Sequence, residues 1–165
     1  MNVAWRFAPF AELAPQELHD LYRLRAAVFV VEQKCAFQDV DGADPESWHL
    51  LGYGPSPREL LAYSRLLPAG IKFPEPSIGR VITALSVRRT GLGRELMLEA
   101  VKRAEKLWPG RAIRIGAQQY LQKFYGEFGF VTVSAPYDED GILHVEMLRP
   151  GSTVAGKSAQ LARQK

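Results

Sequence analysis

The sequence predicts an α/β fold around one largely continuous sheet, on three observations. Stretches of period-two alternation interleave with stretches of helical spacing, in the order β α α β β β α β α β β. The 165 residues make one ordinary domain, long enough to bury a core. A content of 47% hydrophobic and 24% charged residues is that of a globular chain and argues against a disordered or fibrous one.

Residues 3–8 alternate and read as the first strand. Pro15 and Glu17 suit a helix start, and Leu18, Leu21, Tyr22 and Arg25 then fall at helical spacing. Helix continues, with room for a break, through 27–33. Residues 49–53 and 60–67 read as strands joined by the loop at Pro55 to Pro57, and 78–83 as another. The strongest helix is 91–108, where Leu92, Leu96, Ala100, Ala104 and Leu107 form one apolar stripe and Pro109-Gly110 ends it. Residues 111–117 alternate as a strand. A short helix over 120–128 stops at Gly129, and 130–134 and 142–148 are the last two strands, joined through Asp138-Glu139-Asp140-Gly141. The expected organisation is a domain over 1–150 and a small, polar, flexible basic tail over 151–165.

Composition excludes several classes. No stretch reaches the roughly 18 apolar residues of a spanning helix, and the start lacks the layout of a secretory signal. One cysteine, Cys35, excludes an internal disulfide framework and a cysteine-built zinc site, so a cytoplasmic location is expected. The net charge of +3 comes from the tail, because Lys157, Arg163 and Lys165 lie there and no acid does. The rest of the chain is formally neutral with its charges interleaved, so no nucleic-acid footprint is read from it. Asp39, Asp41 and Asp44 do not have the spacing of a calcium loop, and turn and capping roles are expected of them.

The chemistry begins at Arg88-Arg89-Thr90-Gly91-Leu92-Gly93-Arg94, between a strand and the strongest helix. Glycines at 91 and 93 let backbone approach a ligand, and the first helical turn offers unpaired N–H groups and the positive end of the dipole. That combination suits a pyrophosphate, with the arginines adding donors. Neither a P-loop nor a full dinucleotide fingerprint is present, since no Gly-Lys-Ser/Thr follows and Leu96 replaces the third glycine. On its own residues the segment is either an anion cradle or a glycine-rich turn with solvated arginines.

Two motifs in order resemble the GNAT superfamily of acyl-CoA N-acyltransferases. Residues 78–107 resemble its acetyl-CoA motif of strand, R-x-x-G-x-G loop and long helix, with Arg88 opening the loop. Residues 116–130 resemble its second motif, which ends Phe124-Tyr125-Gly126-Glu127-Phe128-Gly129-Phe130. Phe29 to Cys35, Asp39 to Gly42, Gly79-Arg80-Val81, Gly116-Ala117-Gln118 and Asp140 to His144 resemble the ElaA-like branch. The resemblance implies a mixed, largely antiparallel central sheet of about seven strands, helices on both faces, and a splayed pair of strands in the middle.

It also implies roles. Val81, Ile82 and Thr83 would pair through their backbone with the pantetheine arm of acetyl-CoA, as a strand added by a ligand. Arg88, Arg89, Thr90, Gly91, Leu92, Gly93 and Arg94 would hold its phosphates, and Gln118 would lie near it. Tyr125 occupies the place of the general acid that protonates the leaving thiolate, and a phenol keeps its proton at neutral pH. The strands leading to the loop and to Gln118 carry no glutamate, so the base is open among Glu32, His49, His144 and an ordered water chain, with His49 the preferred histidine. The implied activity is acetyl transfer from acetyl-CoA to a primary amine in a ternary complex, without a metal, a membrane or nucleic acid; a homodimer stays open. The alternative is an acyl-CoA-binding module without turnover, and Tyr125 leans against it.

Overall fold

The computed structural model describes residues 2–34, 37–55 and 59–152. Cys35, Pro57 and residues 153–165 lie outside them. The elements are β1 (Ala4–Pro9), α1 (Pro15–Arg25), a π-helical segment (Ala26–Glu32), β2 (Trp48–Tyr53), β3 (Leu60–Leu67), β4 (Ser77–Thr83), α2 (Leu92–Leu107), β5 (Ile113–Gln118), α3 (Gln122–Gly126), β6 (Val131–Thr132), β7 (Tyr137–Glu139) and β8 (Ile142–Arg149).

The strands form one sheet of eight, in the order β1-β2-β3-β4-β5-β8-β6, with β7 also on β8. Every pairing is antiparallel except β4 with β5. The strand beyond the expected seven is β7. It is three polar-flanked residues, too short to show an alternation. Its turn was visible: Asp140 (φ +54°) and Gly141 (φ +81°) give the paired positive φ values of a tight hairpin. Among the described residues no helix is long and apolar enough to cross a membrane.

Two apolar clusters cover the two faces of the sheet. Leu21, Leu24 and Val28 of the first helical stretch pack with Leu51, Tyr63 and Ile82. Leu92, Leu96, Met97, Ala100 and Ala104 of α2 pack on the other face with Leu66, Ile78 and Ile115. β3 is therefore buried along its whole length. α2 starts where it does because Gly91 adopts φ +93°, which an L side chain resists. Pro15 opens α1, and Glu17 reaches back to accept the Ala14 N–H at 2.9 Å. The expected helix over 120–128 is shorter, with a 3-10 turn (Gln119–Leu121) before α3.

Candidate active site

The site follows from an irregularity in β4. From Tyr63↔Ile82 to Arg65↔Gly79, β3 advances two residues and β4 three, so β4 carries one extra residue. Arg80 absorbs it at φ +50°. Beyond this bulge β4 leaves β5: the two are joined only at Ser77↔Arg114 and by Arg114 N–H to the Pro76 carbonyl at 2.9 Å. The edge of Val81-Ile82-Thr83 that faces β5 has no strand partner among the described residues.

A cavity of about 400 Å3 fills the gap, lined by residues 77–83, Arg88, Gly116, Gln118, Tyr125 and His144 among others. A second, of about 500 Å3, shares Arg65, Arg80, Gln118 and His144 with it and reaches Phe37, Asp41, Ile142 and Asp140. The Tyr137 hydroxyl and Lys72 Nζ approach the strand closely at Gly116, where a Cβ would lie 3.3 and 3.6 Å from them. A glycine inside a strand is the sequence signal for such an approach. The bulge at Arg80 has no comparable signal, because arginine rarely takes positive φ.

At one end stands the loop before α2. Thr90 Oγ1 donates to the Val87 carbonyl at 2.7 Å and closes the turn. Arg94 and Glu95 N–H groups bond to Gly91 O. The amides of Leu92 and Gly93 have no intrahelical acceptor. A Cβ on Gly91 or Gly93 would meet nothing within 4 Å, so open space lies over both. Leu92 itself turns its side chain into the core. Of the arginines, Arg88 is held by both Glu32 oxygens, and Arg94 pairs with Glu127 above the Phe128 ring. Arg89 has no ion pair among the described residues.

Tyr125 is 8% exposed, and its hydroxyl has no hydrogen-bond partner among the described residues. Phe124 and Phe130 meet its ring edge-on, at 5.1 and 6.3 Å between centroids. Burial, with Tyr120 nearby, pushes its phenol up to about 12. Gln118 Oε1 accepts from the Tyr120 hydroxyl at 2.6 Å, which leaves its amide hydrogens to donate.

The three side-chain candidates for the base are separated. Glu32 lines the first cavity, but Arg88 occupies both its oxygens and holds its carboxyl below the usual range. His49 lines neither cavity. It is fully buried, with Nδ1 2.8 Å from the Tyr63 hydroxyl and Nε2 3.0 Å from the Asp44 carbonyl, and burial lowers its pKa. His144 lines both cavities, opposite Gln118 in the β5–β8 register.

The three aspartates do more than the turn and capping roles expected of them. Asp41 does accept the Ala43 N–H. It also pairs with Arg65 and Arg80, Asp39 pairs with Arg25 and Arg80, and Asp44 pairs with Arg25 and Arg65. This network fastens residues 39–44 to the bulged strand and forms one wall of the second cavity. Arg80 lies against the rings of Phe29 and Phe37 as it does so.

The geometry has counterparts in known proteins. A family model described as Acetyltransferase (GNAT) domain matches residues 69–149. ElaA of Escherichia coli is 40% identical over 149 residues, which is 89% of this chain and 96% of ElaA. This chain belongs to the GNAT family, in its ElaA branch. The crystal structure of Escherichia coli ElaA superposes with a TM-score of 0.84 over 90% of this chain and 99% of that one. An acyl-CoA N-acyltransferase from Pseudomonas aeruginosa superposes at 0.85, with 41% identity and the same coverage. The GNAT resemblance read from residues 78–107 and 116–130 thus holds, as does the ElaA-like one read from the further segments.

Proposed function

We propose that this GNAT protein transfers an acetyl group from acetyl-CoA to a primary amine by direct attack in a ternary complex. The splay of β4 from β5 carries the reading. It leaves a strand edge, at Val81-Ile82-Thr83, whose backbone groups match a peptide-like pantetheine arm. The same edge leads to the open glycines and free amides at the start of α2, which suit a diphosphate.

Each group has a task in this arrangement. Amides of Leu92 and Gly93, with Arg88 and Arg89, hold the phosphates. The Gln118 amide donates into the first cavity. Tyr125 supplies a proton to the sulfur when the C–S bond breaks; a phenol pushed up to about 12 is protonated at neutral pH and available for transfer. Holding the thioester and amine together supplies most of the rate by orientation. The second cavity, contiguous with the first, is where the amine enters.

The test is an assay of thiol release from acetyl-CoA across a panel of primary amines, beside calorimetric titration with acetyl-CoA. Amine-dependent release and saturable binding support the reading. Binding without release with any amine would leave an acyl-CoA-binding module, and no binding would remove the assignment.

A further inference from the structure

We propose that His144 is the base that takes the proton from the acceptor amine, a role that rests on the acyl-transfer reading above. An amine arrives as an ammonium ion and cannot attack until it loses a proton, so the site needs an unprotonated lone pair facing the acceptor cavity. The geometry supplies one. His144 Nδ1 lies 2.8 Å from the Ile142 carbonyl oxygen. A carbonyl oxygen only accepts, so Nδ1 carries the hydrogen in the neutral ring and Nε2 keeps its lone pair. Nε2 has no hydrogen-bond partner among the described residues. The Tyr137 ring stacks on the imidazole at 6.1 Å and 29° and fixes its plane.

Position agrees with the role. His144 stands opposite Gln118 at the end of β5, beyond the point where β4 has left β5, and it lines both cavities. Tyr125 lines the first of them, so acid and base serve the same opening. The other candidates are placed less well: Glu32 lines only the first cavity and sits against the Arg88 guanidinium, which weakens it as a base, and both nitrogens of His49 are engaged away from the cavities. The charged groups sharing the second cavity with His144 are Asp41, Arg65, Lys72, Arg80, Glu139 and Asp140. Arg65 and Arg80 are neutralised by aspartates, and Lys72 Nζ is 3.8 Å from Glu139. Asp140 has no ion pair among the described residues.

The proton balance closes. An ammonium N–H bond breaks, its electron pair stays on nitrogen, and the proton goes to Nε2 and on to solvent. The amine nitrogen bonds to the thioester carbon, the C–S bond breaks, and sulfur takes the electron pair and the Tyr125 proton. The new amide nitrogen gives up its second proton to Nε2, which returns it through water to Tyr125. One proton is released per acetyl group moved.

The test uses the full chain, acetyl-CoA, a panel of alkylamines including benzylamine and tryptamine, and the His144→Gln variant. Imidazole 15N NMR of the wild type, with the His144 signal assigned by its loss in the variant, should show hydrogen on Nδ1 of the neutral ring. In His144→Gln, kcat/KM for an alkylamine should fall roughly 100-fold near neutral pH. That deficit should shrink as rising pH deprotonates the amine itself, while the acetyl-CoA Kd stays within about threefold. Hydrogen on Nε2 in the neutral ring overturns the proposal whatever the kinetics. A variant with the wild-type pH profile overturns it too and leaves the acyl-transfer reading standing. Acetylation of no amine by the wild type removes that reading, and the base assignment with it.

Discussion

Glu32 and Arg88, 56 positions apart, are joined by two hydrogen bonds of 2.6 and 2.7 Å. The pair ties the π-helical segment to the loop that opens α2, and it occupies the guanidinium proposed to meet a diphosphate. Glu32 thus competes with the ligand for Arg88. Both side chains are more than a third exposed, so the contact is worth no more than about 1 kcal/mol. Glu32→Gln should therefore tighten acetyl-CoA binding by about two- to fivefold. Calorimetric titration of the two proteins checks this, and weaker binding by the variant would mean that Glu32 orients Arg88 for the ligand.

Gly93 offers the cleanest test of the phosphate site. Its missing Cβ faces open space, and it lies in the first turn of α2, where an acidic residue favours the helix. Gly93→Glu should fold with wild-type stability and put a carboxylate where a diphosphate is proposed. Acetyl-CoA affinity should drop by more than about tenfold, a loss on the scale of one charge-assisted hydrogen bond. Gly91→Ala acts differently. Its φ of +93° strains any Cβ, so that variant should lose about 1 kcal/mol of stability. Thermal unfolding and calorimetry separate the two effects.

Tyr125→Phe should lower kcat by roughly 100-fold with little change in acetyl-CoA affinity. The ring packing is retained, because the hydroxyl has no partner to lose among the described residues. A phenol pushed up to about 12 keeps its proton through neutral and mildly alkaline pH, so Tyr125 does not cause any fall in rate below that range. Turnover matching the wild type would remove its role as acid.

Local features of the chain were legible where one period or one turn residue decides the conformation. The α2 stripe, its glycine start and β3 follow from spacing alone. β7 was missed because three residues cannot show a period, although Asp140-Gly141 marked its hairpin. Features set by side chains far apart in sequence left no trace. His49 is flanked by Trp48 and Leu50 and His144 by Leu143 and Val145, and the preference for His49 has no difference between those flanks to rest on. Sheet register separates them, by turning His49 under the wall of aspartates and arginines and His144 into the opening. Likewise the aspartates at 39, 41 and 44 look like turn residues until β3 and β4 bring Arg65 and Arg80 to them.

That network predicts how the fold responds to acid. Burial alone would raise Asp41 and Asp44, but the guanidinium of Arg65 for the first, and those of Arg25 and Arg65 for the second, override it and hold both below their usual 3.8. His49, buried between Tyr63 and Asp44, sits below its usual 6.5. In each case the unfolded chain takes up the proton first, so stability is complete above the unfolded value and is lost as pH falls toward the folded one. The His49 contribution should begin to fade just below pH 6.5, and the larger aspartate contribution below about pH 4. Asp44→Asn leaves Arg25 and Arg65 short of a buried counter-charge and should cost about 3–5 kcal/mol near neutral pH. Because asparagine does not titrate, the variant should also lose part of the steep acid limb. Urea unfolding of both proteins between about pH 8 and pH 3 measures the two effects together. Equal stability at neutral pH would mean that the desolvation of these charges cancels their attraction, and that the network serves to position residues 39–44 rather than to stabilise the fold.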